Sequence, residues 1–174
     1  MQKLYQTIVA DPPWQYRNKR TGGSHKSGSA QKYNTMSVEE ISALPVTSIC
    51  DRNCVLFLWA TTPLLPDVFS VMEAWGFRYK TTIYWRKIMS MGLGFWFRGQ
   101  VEQCLMGVRG TVKAFRCQHA NFIQSKARRH SQKPEEFFQL IEPVAPTPRC
   151  ELFAREPRKG WDVWGDGVES EIKL

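Results

Sequence analysis

Apolar, β-rich runs recur along the chain at Leu4–Ala10, Val55–Ala60, Thr81–Trp85, Cys104–Val108 and Cys150–Ala154. Each is short and continuous enough to predict a buried strand of a parallel sheet. Helical patterns fall between them. Ser37-Val38-Glu39-Glu40 predicts a helix through Leu44, with Ser37 as N-cap and Glu40 in the capping-box position. Pro66-Asp67 opens a second helix that runs to Trp75 and stops at Gly76, and Pro134 stands in the first turn of a third that reaches Ile141. Strands alternating with helices predict an α/β fold with a mostly parallel sheet, whose ligands bind at the carboxyl ends of the strands. The length of 174 residues predicts one domain spanning 1–174.

Three segments lack either period: Gln15–Met36 and Lys87–Gly99, both rich in glycine, and the polar, basic Val112–Ser131. Loops of this length in a compact domain are functional or disordered. They also change the meaning of the formal charge of +8. Residues 12–38 and 74–134 together hold 17 of the 24 Lys and Arg but only one of the 16 Asp and Glu, Glu102. Such segregation suits a face that tracks phosphates, because nearby carboxylates would repel the backbone. An anionic membrane surface would also suit it, and a scattered, solvated surface is the plain alternative.

No apolar run approaches the roughly 20 residues of a spanning helix, and Met1–Tyr5 lacks the apolar core of a signal peptide. A cytoplasmic protein is expected. The five cysteines form no CxxC pair and Cys50 and Cys54 have no second ligand pair at zinc spacing, so buried thiols are expected, with no disulfide framework and no metal.

The candidate chemistry follows the first strand. Asp11-Pro12-Pro13-Trp14 stands where a strand's carboxyl end meets a long Gly/Ser loop, the usual place of an α/β active site. On the bland reading two prolines end a strand, Asp11 caps a turn and Trp14 is core. On the functional one, the residue types fit methylation of an adenine amino group. That nitrogen's lone pair is delocalised into the ring, so it must be oriented and polarised. The Asp11 carboxylate and the Pro12 carbonyl can each accept one amino hydrogen, and Trp14 can stack on an extruded base.

With these residues the sequence resembles the DPPW-type N6-adenine methyltransferases, the family of the catalytic subunit of the eukaryotic messenger-RNA N6-adenosine methyltransferase and of phage and bacterial proteins. The resemblance runs through Ile8–Trp14, Tyr33–Ser37, Leu56–Trp59, Trp96–Gly110 with Glu102, Ser131–Glu135, Ile141-Glu142, Glu151–Arg155 and Trp161–Asp166. It implies a Rossmann-like methyltransferase fold with helices on both faces of the sheet, using S-adenosylmethionine. By position it implies a cofactor strand with Glu151, Phe153 and Arg155, cofactor contacts from Asp166 and Gly167, and a double role for Asp11 towards cofactor and target amine. Tyr33 corresponds to an aromatic of the first active-site loop, and Gly94 to Gly99 to the second. Trp96, Arg98, Arg128 and Arg129 are the candidate substrate contacts. Lys133 reads either as a pocket lysine, as in similar Gln-Lys-Pro elements, or as a surface residue at a helix start; the first is favoured. A glycine-rich GxGxxG is absent, and with ten residues before Asp11 part of the pocket for the cofactor's adenine is expected to be built in another way or left open.

DNA is the expected substrate, with RNA possible, in a bacterial or phage-encoded protein. The motif now weighs against a membrane partner. Two other functions remain open: a non-catalytic nucleic-acid-binding subunit, which the intact Asp-Pro-Pro disfavours, and methylation of cytosine N4, which poses the same chemical problem. Little chain is left for a target-recognition domain, so specificity is expected from loops, a second copy or a heteromeric partner. Trp59, Trp75 and Trp85 read as core, and His25, His119 and His130 have no acid–base assignment.

Overall fold

The first strand, β1 (Tyr5–Ala10), lies inside a seven-stranded sheet. The computed structural model describes residues 3–15, 34–88, 96–127 and 132–174. After β1 come α1 (Val38–Ala43), β2 (Cys50–Ala60), α2 (Leu65–Ala74), β3 (Arg78–Ile88), β4 (Val101–Arg109), β5 (Phe122–Lys126), α3 (Glu135–Ile141), β6 (Arg149–Leu152) and β7 (Asp162–Trp164). The strand order is β5-β3-β4-β2-β1-β6-β7.

Alternation along β2 divides the apolar residues into two cores. Leu56, Leu58 and Ala60 face Ile41 of α1 and Val68, Val71 and Met72 of α2. Val55, Phe57 and Trp59 face Phe137, Phe138 and Ile141 of α3. Helices therefore cover both faces. The capping box at α1 is present: the Ser37 hydroxyl accepts the Glu40 N–H at 3.1 Å, and the Glu40 carboxylate accepts the Ser37 N–H at 2.7 Å. Gly107 lets α2 approach β4 closely, since a Cβ there would lie 2.8 Å from the Met72 sulfur.

Four expectations change. β4 runs antiparallel to both β2 and β3, although every other pairing is parallel; an apolar run has no direction, so its pattern could not say so. β5 lies inside the segment read as a basic loop, and the three-residue β7 was not foreseen. Pro134 is the N-cap of α3 and not part of its first turn, with extended backbone at ψ 143°. β2 and β3 are each 11 residues long, beginning before the apolar runs that marked them.

The chain leaves β1 for β2 by way of α1 on one face and enters β6 from α3 on the other. Adjacent parallel strands whose connecting helices lie on opposite faces form a topological switch point, and in open α/β sheets the binding crevice lies there, beyond the carboxyl ends of the strands. No helix of the described residues is long and apolar enough to cross a membrane.

Candidate active site

Asp11-Pro12-Pro13-Trp14 turns away from the sheet at this crevice. The Asp11 N–H donates to the Leu152 carbonyl of β6 at 3.4 Å, the Trp14 N–H to Pro12 at 2.9 Å and the Met36 N–H to Pro13 at 2.9 Å. Trp14 is 5% exposed and packs in the α1/α2 core, with its indole N–H donating to the Trp59 carbonyl at 3.0 Å. This corrects one expectation: Trp14 holds the turn from below and offers no open face to a base. The Pro12 carbonyl accepts one backbone N–H and keeps its second lone pair. Trp14→Phe should destabilise by about 1 kcal/mol through the lost hydrogen bond, and Trp14→Ala by about 3–5 kcal/mol through the cavity. Thermal unfolding measures both; a Trp14→Ala variant with the parent melting temperature would contradict this placement.

The Asp11 side chain meets Lys133, whose Nζ lies 3.0 Å from Asp11 Oδ1 and 3.1 Å from Glu102 Oε2. Glu102 also accepts from Lys87. The Lys133 ammonium lies 4.9 Å from the centre of the Trp59 ring and the Lys87 ammonium 5.0 Å from that of Trp85. The position of Lys133 follows from its neighbours. Two residues on, Glu135 receives a two-pronged hydrogen bond from Arg158 at 2.8 and 2.9 Å, and Gln132 reaches Glu156 at 3.3 Å. These bonds tie the start of α3 to the β6–β7 connection.

Burial pushes the Asp11 carboxyl above its usual range, against the Lys133 ammonium, which draws it down. Glu102 is also desolvated, but Lys133 and Lys87 outweigh that and hold it below the usual range. Burial likewise opposes the charge of Lys133, and its two carboxylate partners reverse the effect and raise it. The result is an alternating chain of charge, Lys87, Glu102, Lys133, Asp11, and of its two carboxyls Asp11 is the one left easier to protonate than in water.

On β6, next to β1, Glu151 is half-buried, and its carboxyl is pushed up to about 7 by burial. β6 is followed by Phe153, which adopts a left-handed backbone with φ 63° and meets Trp164 edge-on at 5.2 Å. The Ala154 N–H donates to the Trp164 carbonyl at 2.9 Å. Gly165 permits this approach: a Cβ there would lie 2.3 Å from the Ala154 carbonyl oxygen. Asp166 and Gly167 follow in an exposed turn, and Arg155 is exposed on the neighbouring connection. Trp96 is 93% exposed, and Arg98 is exposed beside it. Tyr33, Gly94, Arg128 and Arg129 lie outside the described residues.

The fold thus brings Asp11, Lys133 and Glu151 together at adjacent strand ends. Glu102 and Lys87 were not chosen as site residues from sequence. The signal was the solitary acid of residues 74–134, facing twelve bases in that stretch.

The model of the MT-A70 family matches residues 5–167. The chain is 33% identical over 181 residues to the type II methyltransferase M.MunI of Mycoplasma sp, covering 94% of this chain and 77% of that protein. It is 29% identical to a putative N(6)-adenosine-methyltransferase MT-A70-like protein of Medicago truncatula, covering 96% of this chain and 27% of the relative. It is 28% identical to the N(6)-adenosine-methyltransferase catalytic subunit METTL3 of Homo sapiens, covering 95% and 28%. The chain therefore spans about a quarter of the length of these plant and human relatives.

Proposed function

The chain belongs to the MT-A70 family, and from that premise we propose that it is a methyltransferase that uses S-adenosylmethionine to methylate the N6 amino group of adenine in nucleic acid, DNA before RNA. The carrying observation is Asp11 at the carboxyl end of β1, half-buried and bound to Lys133 in the crevice beside β6. The choice of DNA leans on the type II methyltransferase, which matches over 77% of its own length.

The residues present suit S-adenosylmethionine. Its sulfonium and α-amino group are cationic and its ribose carries two hydroxyls, and the crevice offers two half-buried carboxylates, Asp11 and Glu151. When bound, the cofactor supplies an electrophilic methyl group. Asp11 accepts an N–H of the target amine and turns the nitrogen lone pair towards that methyl, while Lys133 fixes the carboxylate's position. After transfer the nitrogen is far more acidic, so Asp11 or solvent can take its proton and no separate base is needed. Glu151 would accept hydrogen bonds from the cofactor's hydroxyls, and Asp166 and Gly167, in the turn after β7, would add further contacts to it.

The test is transfer of label from S-adenosylmethionine to adenine-containing single- and double-stranded DNA and RNA, followed by nucleoside digestion. N6-methyladenine is expected, with DNA labelled faster than RNA. Label in N4-methylcytosine, or no label on any polymer, overturns the reading.

Glu151 gives a second check. Because burial raises its carboxyl to about 7, the folded protein resists ionising it. Its contribution to stability is thus greatest at low pH and is lost as the pH rises from the ordinary glutamate range through 7. Glu151→Gln should then be at least as stable as the parent at pH 8, yet bind S-adenosylmethionine about tenfold or more weakly there, through loss of charge-assisted hydrogen bonds. Calorimetry should find the parent's affinity rising through pH 7 and the variant's flat. A flat parent profile would remove Glu151 from the cofactor site.

A further inference from the structure

Alternation sends the side chains of β3, β4 and β5 to two faces. Ile83, Trp85, Cys104 and Ile123 pack towards α3 on one of them. Tyr84, Arg86, Val101, Phe122, Gln124 and Lys126 point the other way, and all are exposed. On that face, α2 reaches as far as Phe69, which meets Tyr79 edge-on at 5.2 Å. Among the described residues seven large apolar side chains are exposed, and six of them belong to this region: Tyr79, Tyr84, Val101 and Phe122 on the strands, and Trp96 and Phe97 just before β4. Apolar surface concentrated in this way marks an interaction site.

The charge of the face selects the occupant. Glu102 is the one acid of residues 74–134, and it points to the opposite face, bound to Lys87 and Lys133. Tyr84 pairs with Phe122 across β3 and β5, and the next pair along, Arg86 and Gln124, is joined by a 3.3 Å hydrogen bond. Aromatic rings are therefore interleaved with cations and have no carboxylate among them on these three strands. A second copy docked face to face would set Arg86 and Lys126 against their own like charges. Duplex nucleic acid hides the base faces that such rings could stack on. Unpaired bases and their phosphates match both features. The face also borders the crevice: Arg86 pairs with Val101, the neighbour of Glu102, which holds Lys133 beside Asp11.

We propose that this face of β3, β4 and β5 is a stacking platform for single-stranded nucleic acid, the strand that flanks the target base; the proposal rests on the reading of the chain as a nucleic-acid methyltransferase. Unpaired bases lie on Tyr84 and Phe122, Arg86 and Lys126 hold the adjoining phosphates, and the strand runs on towards Asp11.

Fluorescence anisotropy with labelled oligothymidylate of about 15 nucleotides, long enough for one such surface, tests it on the full chain. The double variant Tyr84→Ala/Phe122→Ala should bind about tenfold or more weakly with an unchanged salt slope. The double variant Arg86→Gln/Lys126→Gln should flatten log K against log salt by about 1.4, two phosphates' worth for a single strand. Gln124→Glu, which puts a carboxylate among the rings without removing any of them, should also weaken binding. All three should give the parent's heat of S-adenosylmethionine binding, since none lies in the crevice. Parent-like binding by all three overturns the platform, and so does sedimentation in which the aromatic variant turns a dimer into a monomer. If the parent chain itself binds no oligonucleotide, the nucleic-acid reading falls instead.

Discussion

Asp11→Asn should lower the turnover of methyl transfer by at least about a hundredfold and leave the melting temperature nearly unchanged. The expected loss follows from the nucleophile. An adenine amino nitrogen shares its lone pair with the ring, and it becomes reactive only when an acceptor pulls on one N–H and rotates density towards the methyl. An asparagine in the same place can turn its NH2 to the amine, and even its oxygen carries no charge, so the polarisation is lost; removal of a positioned proton acceptor lowers rates about 10²–10⁴-fold. The expected indifference of stability follows from the environment. Burial raises the Asp11 carboxyl above its usual range in spite of Lys133, so the fold gains little from this charge. Lys133 still keeps Glu102 as a partner. Single-turnover kinetics at saturating cofactor separates the effect on chemistry from any on binding. The parent should also lose activity on acidification at a pH above that at which an ordinary aspartate protonates, because the ionised form is required and its pKa is raised. A variant that retains a tenth of parental turnover would remove Asp11 from the reaction.

Much of this arrangement was legible in the residues, and the part that was not is non-local. Ser37 and Glu40 announce a helix start because both bonds of a capping box close within four residues. The end of β1 is visible because two prolines cannot continue a strand that needs N–H donors on both sides. β5 is different: of its five residues only Ile123 and Ser125 point inward, and Ser125 is there to accept the Trp85 indole N–H at 2.9 Å. A single inward apolar residue gives no period to detect. Trp14 misled for a related reason. An aromatic beside a catalytic turn looks the same in sequence whether it faces a base or the core, and the carbonyl of Trp59, 45 residues away, decides between them. The contact between Lys133 and Glu102 has the same character, since it depends on β4 running antiparallel so that its first residues reach the carboxyl ends of β1 and β2.

That antiparallel strand is what gives Lys133 two anionic partners, and it makes Lys133→Met a change expected to damage stability and activity together. Its side chain is 16% exposed, and those of Asp11 and Glu102 are 22% and 29% exposed. Taking it away leaves two largely buried carboxylates near one another, offset by Lys87 at Glu102 and more weakly by Arg155 at Asp11. Breaking a buried ion pair from one side costs about 3–5 kcal/mol, and the residual exposure here scales that to about 2–3 kcal/mol. The dependence on pH distinguishes this from mere loss of packing. Glu102 is held below its usual range, with Lys133 the largest cause opposing burial, so the stability it contributes is present above the ordinary glutamate range and lost as the pH falls through its folded pKa. Lys133 is raised, so its own contribution persists until strongly alkaline pH. The deficit of Lys133→Met should accordingly be full at pH 7 and shrink towards pH 4, where both carboxyls protonate and need no partner; a packing defect would be the same at both. Activity should follow the same electrostatics. Without the neighbouring cation Asp11 becomes still easier to protonate, and the acid limb of the rate profile should move to higher pH. Lys133→Arg, which keeps the charge, should recover most of the stability and restore the position of that limb. Denaturant melts across pH, paired with rate profiles of the three proteins, decide the matter. An acid limb that stays in place in Lys133→Met would mean that Asp11 does not depend on Lys133 for its charge.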